Sequence, residues 1–455
     1  MNRSARTRLA LTITAAAALA TAGTLAVATM ASAHNDHPVA LAAQPVTTAG
    51  DATFLVASLD GRNEVPGTGG PVNDKDGQAF EVLRIKGNQV SFAMKWRGIG
   101  APTAGHVHAG AAGVNGAVKI GFFGAALPDT VNAAVGSVTV TDKALLDALK
   151  TTPGDFYANL HTAEFSGGAV RGQFHKVAHP VDLFGVLRGG PFAALLDGDQ
   201  EVPGAKPVDD PDGHATSFVR AQRDRIDYAF TWNGIAPPTD GHIHQGAVGV
   251  NGPVAVGLFS AAGGLPASFT GVAGSVGGVK GDLTEQIRRD PAGFYANLHT
   301  GEFAGGAVRG QLFRAGGDQL ANFTASVVQG EQIYACTKQP DGTFAFTQHN
   351  VRATLQGGIR HSFVTDDAGP PQWVAPDGSA VTGKLLTKTP NGAGNIAELE
   401  LEATQSGAPT GLFADTTEIL RLNTVGGVAP AGTCDPAKQP IAKVPYQADY
   451  VFLTK

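Results

Sequence analysis

The 455-residue chain carries 33 basic and 39 acidic side chains, a net charge of −6, and its 61 glycines and 27 prolines make up close to a fifth of it. That composition excludes a mainly helical protein, because glycine and proline are the two poorest helix formers. With 43% hydrophobic residues and no Gly-X-Y period it also excludes collagen, and mild acidity argues against a nucleic-acid partner or an anionic membrane surface. What remains is a turn-rich, all-β chain of about three domains at roughly 150 residues each.

Residues 1–33 read as a signal peptide. Arg3, Arg6 and Arg8 precede an apolar stretch from Leu9 to Met30, and Ala31-Ser32-Ala33 is a small-x-small cleavage site. No second apolar run of membrane length follows, so the mature chain is expected to be exported, with no transmembrane segment. Residues 34–52 read as a flexible leader.

A long internal repeat occupies the next two thirds. Asp60-Gly61-x-x-Glu64-Val65-Pro66-Gly67 recurs as Asp197-Gly198-x-x-Glu201-Val202-Pro203-Gly204. Trp96-x-Gly98-Ile99 through Gly105-His106-Val107-His108 recurs as Trp232-x-Gly234-Ile235 through Gly241-His242-Ile243-His244, and Phe156 to Thr162 recurs as Phe294 to Thr300. Such a period is far too long for a solenoid and means two tandem domains of one fold, spanning 53–178 and 190–314. In each, apolar residues alternate with polar or small ones, as at Val90, Phe92, Met94 and Trp96, which is the signature of a half-buried strand. Gly- and Pro-rich turns separate the strands, giving an antiparallel β-sandwich with one short helix near Asp142 to Lys150 and its counterpart near Leu283 to Arg289. Residues 319–455 differ in sequence but share the short β-rich runs, and predict a third, unrelated all-β domain. Both cysteines, Cys336 and Cys434, lie there; in an oxidising compartment they would form one disulfide, the alternative being two buried free thiols.

Two residues apart on a strand, His106 and His108 share a face, as do His242 and His244. Imidazole is the commonest neutral metal ligand, and His161 and His299 supply a third donor in each repeat. The competing reading is structural: the rings hydrogen-bond nearby turns and the hydroxyls of Thr162 or Thr300. Glu64 and Glu201 read as turn acceptors or as a fourth ligand, and Arg171 and Arg309 as partners of Glu164 and Glu302. Gly110-x-x-Gly113-x-Asn115-Gly116 reads as a hairpin turn, since no Lys-Ser/Thr follows it. No hydrolase, zinc-protease or Cys-His nucleophile pattern occurs.

On these blocks both repeats resemble the CHRD (chordin) domain family, through the Glu-Val-Pro turn, His-x-His-x-Gly-x-x-Gly-x-Asn-Gly, and Tyr-x-Asn-x-His-Thr followed by Gly-Gly-x-Val-Arg-Gly-Gln. That resemblance implies a secreted protein and assigns no biochemical role. The His106-x-His108 strand is also similar to the copper-ligand strand of copper/zinc superoxide dismutase, which implies a Greek-key-like sandwich, a metal faced by His106, His108 and His161, and Arg171 as its neighbour. No histidine lies between His108 and His161, so the similarity extends to a mononuclear site only. Region 319–455 resembles the domain of unknown function 3455 family, through Gln332-Ile333-Tyr334-x-Cys336, Pro371-x-Trp373, Asp377-Gly378-Ser379 and Val444-Pro445-Tyr446. The expectation is a secreted modular binding protein for an unidentified extracellular ligand or protein, each repeat a candidate site for one copper or zinc ion. The alternatives are a copper-dependent redox enzyme of dismutase type and an extracellular scaffold whose histidines are structural.

Overall fold

The computed structural model describes residues 52–187, 190–315, 322–367 and 369–454, all within one unit, Thr47–Lys455. The expected signal peptide, and the leader up to residue 51, lie outside the described residues.

The first repeat folds into β1 (Thr53–Asp60), β2 (Gln78–Lys86), β3 (Gln89–Arg97), β4 (Pro102–Ala109), β5 (Val118–Phe123), β6 (Val131–Thr139), β7 (Phe156–Thr162), β8 (Val170–Gln173) and β9 (His175–Lys176), with helix α1 (Lys143–Thr151) before β7. All pairings are antiparallel, in the order β5-β4-β7-β8-β1-β2-β3-β6. Strand β3 is followed in the chain by β4 but in the sheet by β6, so the β4–β5 pair crosses to the other face, a Greek-key-like connection. The alternation read in the sequence sets the orientation of β3: Val90, Phe92, Met94 and Trp96 are buried. Helix α1 starts at Asp142, whose side chain accepts from the Leu145 N–H.

The second repeat repeats the order with β10 (Phe192–Asp197), β11 (His214–Gln222), β12 (Arg225–Asn233), β13 (Asp240–Gln245), β14 (Val254–Ser260), β15 (Phe269–Val276), β16 (Phe294–His299), β17 (Val308–Gln311), β18 (Phe313–Arg314) and α2 (Gly281–Arg289). The two repeats are not separate beads. Strand β6 pairs with β15, Ala134 opposite Val272, and this antiparallel seam joins both sandwiches into one continuous sheet. Ser137 N–H donates to Ser268 O and Ser275 N–H to Thr130 O, each at 2.9 Å, and these two bonds exchange under the repeat's own symmetry.

The C-terminal region is a closed antiparallel barrel of β19 (Phe323–Lys338), β20 (Phe344–Leu355), β21 (Arg360–Phe363), β22 (Pro371–Val374), β23 (Ala380–Thr389), β24 (Glu398–Gln405), β25 (Thr416–Gly426) and β26 (Ile441–Thr454). Each strand pairs with the next, and β26 returns to β19. Cys336 and Cys434 form the expected disulfide. The barrel does not hang free. Leu420, Leu422, Val451 and Leu453 on its wall join Val56, Phe80, Val82 and Ala93 on the outer face of β1–β3, with Val181, Val186 and Leu187 of the connecting segment between them. The face of β3 that the alternation leaves for solvent is therefore partly covered. Among the described residues no helix is long and apolar enough to cross a membrane.

Candidate metal centre

Strand β4 alternates small or apolar inward residues with histidine outward. Gly105 and Val107 point into the core, and a Cβ at Gly105 would lie 2.5 Å from the Phe123 ring, so only glycine fits there. His106 and His108 project on the opposite face, half-buried. Strand β7 pairs with β4, setting His106 opposite Asn159, His108 opposite Tyr157, and Ala104 opposite His161. Tyr157, Asn159 and His161 thus share the face of the two histidines, and His161 lies diagonally from His106, within reach across the pair.

One nitrogen of each of His106, His108 and His161 lies within 4.8 Å of the others. His106 Nδ1 is 3.3 Å from His161 Nε2, which is about the edge of a tetrahedron around a metal bound at roughly 2.0–2.1 Å. Two of the outer ring nitrogens are fixed by backbone: His108 Nδ1–H donates to Gly116 O at 3.0 Å, and His161 Nδ1–H to Ser166 O at 3.0 Å. A proton held on Nδ1 leaves Nε2 as the lone-pair nitrogen, the outer arrangement that metal-binding imidazoles use. His108 Nε2 is buried and has no hydrogen-bond partner among the described residues. Burial, then the neighbouring His161 and His108, pushes His106 down to about 4, and burial lowers His108 and His161 too, so all three are neutral at pH 7.

The second repeat reproduces this. His242 Nδ1 lies 3.0 Å from His299 Nε2, His244 Nδ1–H donates to Gly252 O at 3.0 Å, and His244 Nε2 is again buried with no partner among the described residues. Both expected trios are therefore brought together. The structural alternative is half met: His108, His161, His244 and His299 each bond a turn carbonyl through Nδ1, whereas His106 and His242 meet only the neighbouring imidazole. The hydroxyls of Thr162 and Thr300 instead accept from Phe165 N–H and Phe303 N–H.

Three expectations about neighbouring residues need correction. Arg171 does not pair with Glu164. It is buried, donates to Ala111 O and Val114 O, and its guanidinium carbon lies 3.4 Å over the Tyr157 ring. His108 stacks on Tyr157 at 4.8 Å and 12°, and one ring face cannot hold both groups, so Tyr157 separates Arg171 from the histidines. Arg171 therefore neighbours the trio only from behind Tyr157, where its charge helps to lower His108. Arg309, Tyr295 and His244 repeat the stack, so Arg309 is likewise no partner of Glu302. Glu64, third, is not a fourth ligand: it accepts from Asn159 Nδ2 at 3.0 Å and lies outside the cluster, and burial raises it to about 7. The segment read as a hairpin turn does join the antiparallel pair β4 and β5, through a loop that Arg171 and Tyr157 hold; Tyr157 Oη accepts from Gly116 N–H at 3.2 Å. The stacking tyrosines are signalled in the sequence by Tyr-x-Asn-x-His in both repeats, since period two puts Tyr157 on the face of His161.

Residues 55–174 and 192–312 match the CHRD domain family, and together they cover more than half of the chain. The chain belongs to the CHRD domain family. Residues 350–454 match a second family, described as protein of unknown function (DUF3455), so the order is two CHRD domains followed by that barrel. Comparison with curated proteins and with solved structures returns no significant match. Both histidine trios, with their tyrosine and arginine supports, fall inside the CHRD matches.

Proposed function

We propose that this is a secreted modular binding protein in which each CHRD domain holds one divalent transition metal, copper or zinc, through its three imidazoles. The observation that carries this is the duplicated buried Nε2 of His108 and His244. A buried ring nitrogen without a partner costs roughly 1–3 kcal/mol, and a cation at the trio would remove that cost. Three neutral nitrogen donors with no carboxylate or thiolate among them suit a borderline metal better than calcium or magnesium. When bound, the ion would supply a Lewis-acidic centre with coordination room left for a ligand oxygen or nitrogen. The chain itself orients the rings, through the Gly116 and Ser166 carbonyls, and stiffens His108 with the Tyr157 stack.

Elemental analysis of the purified full chain, dialysed against zinc or copper, tests the reading. About two equivalents are expected, one after His106→Ala with His108→Ala, and about none when His242→Ala and His244→Ala are added. Fewer than about one equivalent, unchanged by these substitutions, would leave the histidines structural. Superoxide turnover by the copper-loaded chain well above that of the free ion would favour the redox-enzyme reading instead.

A further inference from the structure

The C-terminal barrel encloses a cavity of about 280 Å³ to which all eight strands contribute, from Gln332 on β19 round to Tyr450 on β26. An eight-stranded barrel is just wide enough to hold its own side chains or one small ligand, and here Phe413, Ile419 and Phe452 pack part of the lumen while the rest is left open. Its wall is apolar at Val351, Trp373 and Leu401, and it opens at Lys388 and Leu385, both exposed.

The polar atoms in that wall are mostly donors. Trp373 is 1% exposed and Gln332 4%, yet Trp373 Nε1 and Gln332 Nε2 have no hydrogen-bond partner among the described residues. Arg421 turns Nε and Nη2 onto Ala397 O at 3.2 and 2.7 Å, and makes no ion pair among the described residues. Lys388 stands at the mouth, and among the described residues no carboxylate lines the cavity. Arg421 feels the Glu398 carboxylate only from beyond ion-pair distance, and two unpaired donors beside it around an apolar space call for acceptor atoms carrying negative charge on an apolar body.

We infer that the barrel lumen is a binding site for a small organic carboxylate whose apolar part is no larger than one ring or a short alkyl chain. The carboxylate accepts from Trp373 Nε1, Gln332 Nε2 and the Arg421 guanidinium, while the body packs on Val351 and Leu401. This site is independent of the histidine trios, and neither reading needs the other.

Calorimetric titration of the full chain with phenylacetate, and with its neutral isostere phenylacetamide, tests the assignment. Phenylacetate is expected to bind at one site, about tenfold or more tighter than the amide, and Gln332→Leu and Arg421→Gln are each expected to weaken it about tenfold. Leu399→Trp, which narrows the lumen, is expected to abolish binding in a chain whose circular dichroism is unchanged. Should that variant fail to fold, the two donor variants decide alone. No binding of either probe up to about 10 mM, or binding undiminished in these variants, would overturn the site. Equal affinity for both probes would overturn the carboxylate.

Discussion

At the scale of single residues, the chemistry of each CHRD site depends on which nitrogen of a ring is free. The spacing His106-x-His108 is enough to put two rings on one face, and the repeat is enough to single out His161. The sequence carries no sign, however, of the Gly116 and Ser166 carbonyls that fix the Nδ1 protons, because those bonds depend on how the loop after β4 and the turn after β7 fold back. Nor does it show that Arg171 lies beneath a tyrosine ring instead of beside Glu164. Tyr157 joins these parts: it stacks on His108, carries Arg171 on its other face and takes the Gly116 N–H. Tyr157→Leu keeps an apolar body but loses the stack and the acceptor. It is expected to weaken metal binding at the first site by about 10- to 100-fold while leaving the second unchanged, read by competition with a chromophoric chelator. Equal weakening at both sites, or none, would show that Tyr157 does not orient His108.

At the scale of elements, strand alternation and helix α1 were legible, since period two and a capped apolar run are local properties, and the uncapped α2 followed from the repeat. The pairing of β6 with β15 was not. Both strands carry glycine where the other's backbone arrives: a Cβ at Gly136 would lie 2.0 Å from Ser268 O, and one at Gly274 would lie 1.9 Å from Thr130 O. These positions correspond in the two repeats, so the seam is self-complementary in the manner of a twofold dimer interface, here within one chain. Each strand would otherwise be an exposed sheet edge open to pairing with other chains. Gly136→Val is expected to cost about 2–4 kcal/mol and to speed hydrogen exchange at the Ser137 and Ser275 amides, which donate across the seam. Unchanged exchange at both amides would show that the repeats do not hold together there.

At the scale of the whole molecule, the barrel docks on the first CHRD domain through a polar interface beside the apolar one. His175 Nε2 lies 3.4 Å from Glu398 Oε2, Ala178 N–H donates to Glu400 at 2.8 Å, His179 N–H donates to Glu418 at 3.3 Å, and Ser58 Oγ donates to Asp449 at 3.1 Å. Glu398 faces His175, Arg421, Asp449 and the Asn423 N–H, and burial pushes it up to about 7. Burial and the adjacent Glu400 raise Glu418 as well. A carboxyl with a raised folded-state value keeps a proton that the unfolded chain has released. The stability it contributes is complete below about pH 4.5 and is lost as pH rises through about 7. His175, pushed down to about 4 by burial, acts at lower pH and is already neutral above 6.5. Between about pH 6.5 and 8.5 the thermal midpoint is therefore expected to fall by several degrees; Glu64 and Glu201, also raised to about 7, share in that fall, and Glu398→Gln is expected to reduce its slope. A midpoint that rises with pH over this range, in scanning calorimetry, would contradict the protonated interface.

By itself the sequence determined what is local or repeated. The β class follows from composition and period two, the duplication from collinear blocks, the disulfide from two cysteines in one region, and the membership of each trio from matched histidines. Only the tertiary structure decided which ring nitrogens are free, that β6 and β15 fuse the two domains into one sheet, and that the barrel covers a face of the first and keeps an open lumen. Each of these joins residues far apart in the chain through backbone groups or packed surfaces, and such contacts leave no periodic trace in the order of side chains.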